Sequence, residues 1–442
     1  MISIGLCLAA LGGTYAAARR SLGAGLGVLF AVGYLYGIVR ANQLDGYSHL
    51  FFDAALLGLY AARLFTPLPL SERLRLDEIR LWMVVLIGWP VALFLVPRQD
   101  MLVELVGLRG NVFMLPCLLI GARMTRDDLY ELAFWVAGLN IAAGALAAVQ
   151  FVVGIEPFFP RNPVTDIIYR SGDVAGFTAH RIPSFFTSAH AYGATMATTL
   201  PLLIGAWMRP SRLSGPLFGT AIGVSALGVF VAAARLPVVL LFLVTATALF
   251  SGRVKIGHRV RWVLVVLVVA WAVSGQERLQ RFRTLQDPEL IADRIAGSVN
   301  LGFFDLASRY PLGNGLGGGG TSIPYFLQNR VRNSVSMENE YARITLEQGI
   351  PGVLAWTFFL LWLFTRNPPA DPSWLLTRRL MKVAGAASFA SGLLGTGLLT
   401  SIPGTAVLLL TMGWVAVRER APDDVAAYDL GARALRWQHG TH

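Results

Sequence analysis

The sequence predicts an all-α polytopic membrane protein with about 12–13 transmembrane helices and one large helical loop on the outer side. Three observations carry that prediction. The 442 residues are 55% hydrophobic and only 14% charged, with a positive mean hydropathy, outside the range of soluble domains of this length. Apolar runs near the roughly 20 residues that cross a bilayer recur from end to end. The basic residues gather in every second connection between those runs, as the positive-inside rule requires of cytoplasmic loops. Residues 1–442 are therefore read as a single membrane domain.

In order, the runs lie at about 2–18, 22–39, 50–65, 79–96, 105–121, 131–154, 184–207, 217–233, 236–250, 262–274, 344–365, 380–398 and 400–417. The first has no basic residue ahead of it and Arg19 and Arg20 behind it. A cleaved signal peptide has the reverse order, so this run is read as a span with its N-terminus outside. The stretches 217–250 and 380–417 exceed one crossing, and each is divided by a hairpin turn. Arg19 and Arg20, the segment Arg73 to Arg80, Arg123 and Arg126, Arg209 and Arg212, Arg253 to Arg261, and Arg366 to Lys382 then fall inside, with the tail 418–442. The net charge of +11 is thus mostly topological and gives no support to a nucleic-acid partner. Cys7 and Cys117 lie far apart inside apolar runs and suggest neither a disulfide framework nor a thiolate metal site.

Two longer polar segments are left outside, 155–183 and 275–343. Within the second, RFRTLQDPELIADRIAGSVNLGFFDLASRY has apolar residues at helical spacing, and PLGNGLGGGG follows it. That glycine run lacks the Gly-Lys-Ser/Thr ending of a nucleotide loop and no strand precedes it. It is read as a loop that permits close backbone approach or hinge motion. Outward arginines gain nothing from the positive-inside rule and need a local explanation. Arg181, Arg235 and Arg294 are three such residues, and Arg235, in VFVAAARLPVVL, is the most costly to keep near a bilayer. Its alternative reading is a cation that snorkels to the membrane surface. Arginine's planar fork suits a diphosphate, and a lipid diphosphate is the anion expected at that surface. No acidic or histidine cluster with metal-ligand spacing occurs there. His180 and His190 flank Arg181 and are read as surface or hydrogen-bonded histidines.

RIPSFFTSAHAYGATMATTLPLL, AAARLP, ADRIAGSVNLGFFDLASRYPLGNGLG and ENEYARITLEQGIPGVLAW, in this order, resemble the signature segments of the bacterial O-antigen ligase and polymerase superfamily, over about residues 105–365. The resemblance implies a GT-C-like inner-membrane glycosyltransferase without metal, nucleotide or other cofactor. Its donor would be an undecaprenyl diphosphate-linked oligosaccharide, its large loop periplasmic, and its partners a glycan acceptor, the lipid bilayer and a chain-length regulator. Carried over by position, Arg181, Arg235 and Arg294 bind the diphosphate, and Gly313 and Gly315 match the turn after Pro311. Family ligases carry His-Asn or His-Ser where this chain has Glu338-Asn339. The resemblance therefore makes Glu338 the base that activates the acceptor hydroxyl, with Asn339, Glu340 and Tyr341 in support.

Residues two apart stand about 200° apart on a helix and share a face only in an extended segment, so one base is expected rather than a carboxylate pair. The alternative for Glu338 is to cap the helix that enters the membrane. Glu347, deeper in the same span, is expected to hold a neighbouring helix or an arginine. Glutamate in the histidine position favours a polymerase of surface-polysaccharide repeat units over a ligase to lipid A core or protein. A transporter of lipid-linked sugars is the reading from another class, and the apparent lack of ionisable residues buried within spans speaks against it.

Overall fold

The computed structural model describes residues 1–170, 180–209, 214–251, 257, 264, 303–320, 323–332, 335, 339–368, 372–395 and 397–418. Its helices, in chain order, are α1 (Ile2–Arg20), α2 (Leu22–Asn42), α3 (Phe51–Arg63), α4 (Leu70–Phe94), α5 (Met101–Val112), α6 (Pro116–Arg123), α7 (Arg126–Val153), α8 (Asp166–Arg170), α9 (Ala189–Trp207), α10 (Gly215–Val231), α11 (Arg235–Phe250), α12 (Phe303–Arg309), α13 (Glu340–Thr365), α14 (Leu375–Ser391) and α15 (Gly404–Ala416). Short 3-10 turns at Gly46–Leu50 and Tyr325–Arg330 complete the regular structure, and no strand occurs among the described residues.

Among the described residues, five segments are long and apolar enough to cross a membrane: Ile2–Arg20, Leu22–Asn42, Met101–Arg123, Arg126–Val153 and Glu340–Thr365. Gly215–Val231, Arg235–Phe250 and Gly404–Ala416 are shorter apolar helices. Every expected run falls on a helix or helix pair except 262–274, which lies outside the described residues apart from Leu264. Most of the expected outer segment 275–343 is likewise outside them, and α12 is the described part of its helical stretch.

Local chemistry moves three boundaries from their expected places. The run 105–121 is two helices, because Pro116 cannot donate to a continuing ladder and instead opens α6 in its first turn. α4 starts at Leu70, about three turns before the apolar run, because charged residues that favour helix continue it past the apolar section. α9 starts at Ala189, where the Ser188 hydroxyl accepts from Ala191 N.

The connections between helices sort to two ends. At the basic end, Arg123 Nε donates to Glu72 at 2.7 Å, Ser21 Oγ to Glu131 Oε2 at 2.7 Å, and Lys382 Nζ to the Arg366 carbonyl at 2.6 Å. Arg209 stacks 4.3 Å from the Trp374 ring, and Arg378 Nη2 donates to Trp414 O at 3.0 Å. At the opposite end Ile38 N donates to Phe185 O at 3.0 Å, and Asn42 Nδ2 to Phe158 O at 3.0 Å. Between the ends the helices pack on small residues and polar pins, as helices in lipid do. A Cβ on Gly121 of α6 would lie 2.0 Å from Leu410 O of α15, and one on Gly413 would lie 2.0 Å from Leu118 O. Asn140 of α7 accepts from Tyr34 and donates to Thr199 and Ser225, tying α2, α9 and α10 together.

Candidate functional site

At the end opposite the basic loops, the segment 181–188 is fixed against the bundle before α9 begins. Ser184 N donates to Gln150 Oε1 at 2.9 Å, its hydroxyl to Ala143 O at 2.7 Å, and its carbonyl accepts from Gln150 Nε2 at 2.9 Å. Its φ of 52° turns the chain sharply. That turn leaves Arg181 with 4% of its surface exposed, and its Nη1 lies 3.2 Å from Nε2 of His190, in the first turn of α9. Arg181 Nε has no hydrogen-bond partner.

The start of α11 meets the same turn of α9. A Cβ on Gly193 would lie 3.0 Å from Ala232 Cβ and 3.4 Å from Pro237 Cβ. The chain reverses from α10 into α11 through Ala233, whose φ is 49°, and Arg235 is the first residue of α11. A cation at a helix N-terminus opposes the helix dipole, an effect of about 0.3–1 kcal/mol, so helix formation does not account for Arg235 there. Two helix N-termini that pack together, one preceded by the buried Arg181 and the other beginning with Arg235, form a setting that an anion would stabilise.

The second cluster is built on α13. Asn339 is its N-cap, its Oδ1 accepting from Tyr341 N at 2.8 Å and Ala342 N at 3.2 Å. Glu340 is fully buried. Its Oε1 accepts from Arg343 Nε at 3.0 Å and Nη2 at 2.7 Å, while its Oε2 accepts from Gly397 N at 2.7 Å. Arg343 Nη1 donates to Glu347 Oε2 at 2.7 Å and to Asn111 Oδ1 at 3.2 Å. Asn111 Nδ2 donates to the same Glu347 oxygen, and Gln348 Nε2 donates to Asn111 Oδ1. Tyr341 OH reaches Phe389 O at 2.9 Å.

This helix is broken at Gly349 (φ 69°, ψ −167°), a conformation essentially restricted to glycine. Pro351 has no N–H for the Glu347 carbonyl, so the break frees several backbone groups that must be satisfied elsewhere. The loop after α12 supplies partners. Asn314 N donates to Leu346 O at 2.6 Å, and Ile350 N donates to Pro311 O at 2.9 Å. Trp89 Nε1 donates to Gln348 O at 2.8 Å. A Cβ on Gly313 would meet Glu347 O at 2.4 Å, and one on Gly315 would meet Glu104 Oε1 at 2.5 Å. Gly313 (φ 83°) and Gly315 (φ 96°) thus permit close backbone approach between α5 and α13. Glu104 accepts from the amides of Arg98, Gln99 and Leu316.

Arg181 and the start of α11, whose first residue is Arg235, thus both lie against the first two turns of α9, and Asn339, Glu340, Tyr341, Gly313 and Gly315 are brought together around α13. Gly397, on the connection from α14 to α15, bonds Glu340, and a Cβ on Gly404, the first residue of α15, would lie 4.0 Å from Thr195 Oγ1 on α9. Arg294 and Glu338 lie outside the described residues. Glu340 and Glu347 both hold Arg343, which corrects the expectation that no ionisable group is buried within a span. His190 is exposed and hydrogen-bonded, as expected, and its partner is Arg181. Arg343 stands three residues after Glu340 and four before Glu347, the spacing of helical ion pairs, so its signal was present in the sequence.

No family model and no curated protein matches this chain.

Proposed function

We propose that the chain is an inner-membrane glycosyltransferase. It transfers a glycan from undecaprenyl diphosphate to a hydroxyl acceptor at its periplasmic end, as a polymerase of surface-polysaccharide repeat units. The observation that carries this reading is that the buried Arg181 contacts the first turn of α9 while the start of α11, whose first residue is Arg235, packs on the next turn. In the reaction the acceptor oxygen attacks the anomeric carbon as the bond from that carbon to the diphosphate oxygen breaks, with inversion. The charge that develops on the leaving diphosphate is met by fixed guanidinium donors and helix N-termini. Glu338, one residue before the N-cap of α13, is assigned the acceptor proton.

The test is reconstitution of the purified chain in liposomes with undecaprenyl diphosphate-linked repeat unit as the sole substrate. A product ladder is expected from the wild type and none from Arg181→Ala, Arg235→Ala or Glu338→Gln. Transfer only after a lipid A core or protein acceptor is added replaces the polymerase reading with a ligase.

A transporter of lipid-linked sugars is the second reading. The broken helix α13 with its buried Glu340, Arg343 and Glu347 favours it, because discontinuous helices and intramembrane ionisable groups mark ion-coupled sites. Movement of the lipid-linked sugar across the liposome bilayer without a new glycosidic bond would select it.

A further inference from the structure

Arg181 cannot give up its proton at any relevant pH, so in the contact between its Nη1 and His190 Nε2 the guanidinium donates and the imidazole nitrogen accepts. The ring is therefore held neutral, with its proton on Nδ1. His190 is nonetheless exposed, while the arginine it engages is almost wholly buried and keeps its Nε without a partner. A buried guanidinium that spends one arm on an exposed imidazole has a weak claim on that arm, because a phosphoryl oxygen is the stronger acceptor. Arg181, on the segment before α9, is a charged group in contact with the ring, and α11, which packs on the next turn of α9, begins with Arg235.

We propose that His190 is a third anion-binding residue of this site. The arriving diphosphate takes the Arg181 arm from the imidazole, and His190 Nε2 gains a proton from solvent and donates it to a diphosphate oxygen. The site then changes from two cations to three as it fills, and the departing lipid diphosphate is released together with that proton. This inference rests on the diphosphate reading of Arg181 and Arg235 and adds to it a residue and a proton linked to binding.

The experiment uses the full chain in nanodiscs, labelled with 15N at its six histidines, with the His190 signal assigned by its loss in H190Q. Spectra are recorded with no ligand, with inorganic pyrophosphate and with farnesyl diphosphate. The expected result is a neutral ring protonated at Nδ1 without ligand and a ring protonated at both nitrogens with either diphosphate. The same change with farnesyl diphosphate alone also supports the proposal and names the lipid as part of the ligand. H190Q is expected to bind the diphosphate about tenfold more weakly or worse, the loss of one charge-assisted hydrogen bond. Binding with a ring that stays neutral overturns the proposal and leaves the diphosphate site standing. Failure of the wild type to bind either diphosphate overturns the proposal and the diphosphate site together.

Discussion

Gly349→Ala tests how the break in α13 is held. The native residue sits at φ 69°, ψ −167°, and a side chain forced into that region costs about 1–3 kcal/mol. Its Cβ would also lie 2.4 Å from Pro311 O and 2.6 Å from Gly313 N. Restoring ordinary contact at 3.4 Å displaces the 311–314 backbone by about 1 Å, since 3.4 − 2.4 = 1.0. That shift breaks two hydrogen bonds, Ile350 N to Pro311 O and Asn314 N to Leu346 O, each with a net contribution of about 1 kcal/mol. The expected destabilisation is about 3–5 kcal/mol. The assay is thermal unfolding of the detergent-solubilised chain followed by size-exclusion fluorescence. Gly138→Ala serves as the control, since it lies exposed in α7 with nothing within 4 Å of a new Cβ; it should be neutral or slightly stabilising. Equal melting temperatures for the two variants would refute the account of the loop as the partner of the break.

Arg343→Met should destabilise by about 3–5 kcal/mol, because it leaves Glu340 and Glu347 buried without their shared cation. Adding Glu340→Gln and Glu347→Gln to it should recover most of the loss, and a triple variant as unstable as the single one sinks that explanation. Ala233→Gly should raise stability by about 1 kcal/mol by relieving a non-glycine residue at φ 49°; an unchanged melting temperature argues against strain there. Burial, with the Arg40 and Arg109 guanidiniums, pushes His49 down to about 3 from 6.5. The unfolded chain therefore binds the extra proton first, and stability falls as pH drops from about 6.5 toward 3. His49→Gln should melt with a smaller drop between pH 7.5 and 5 than the wild type, and equal drops would show that His49 does not titrate on unfolding. Arg181→Lys keeps the charge but loses the fork, so it should impair diphosphate binding where a purely electrostatic role would be rescued.

Much of the helix pattern was legible because lipid imposes length and apolarity on each crossing, and these survive in one dimension. The break between α5 and α6 was missed, because the run 105–121 reads as one span across Pro116, and the apolar character of the later span hid the helical spacing of Glu340, Arg343 and Glu347. The Arg181–His190 bond was not legible. It depends on the turn at Ser184, which Gln150 and Ala143 of α7 hold in place from far along the chain. The carbonyls opened at Gly349 likewise gave no sign that a loop from residues 311–314 would answer them.

The sequence by itself determined that the chain is built from apolar helices, which connections carry the basic charge and where arginine departs from that pattern. These follow from transfer energies and local propensity, which act residue by residue. Tertiary structure alone decided that Arg181 meets His190 beside the start of α11, and that Arg343 is shared by two carboxylates bridged to α5 and Gly397. Both depend on contacts between distant segments, whose geometry is set by close packing at Gly193, Gly313 and Gly349 and by the need to satisfy every backbone group that the broken helix exposes.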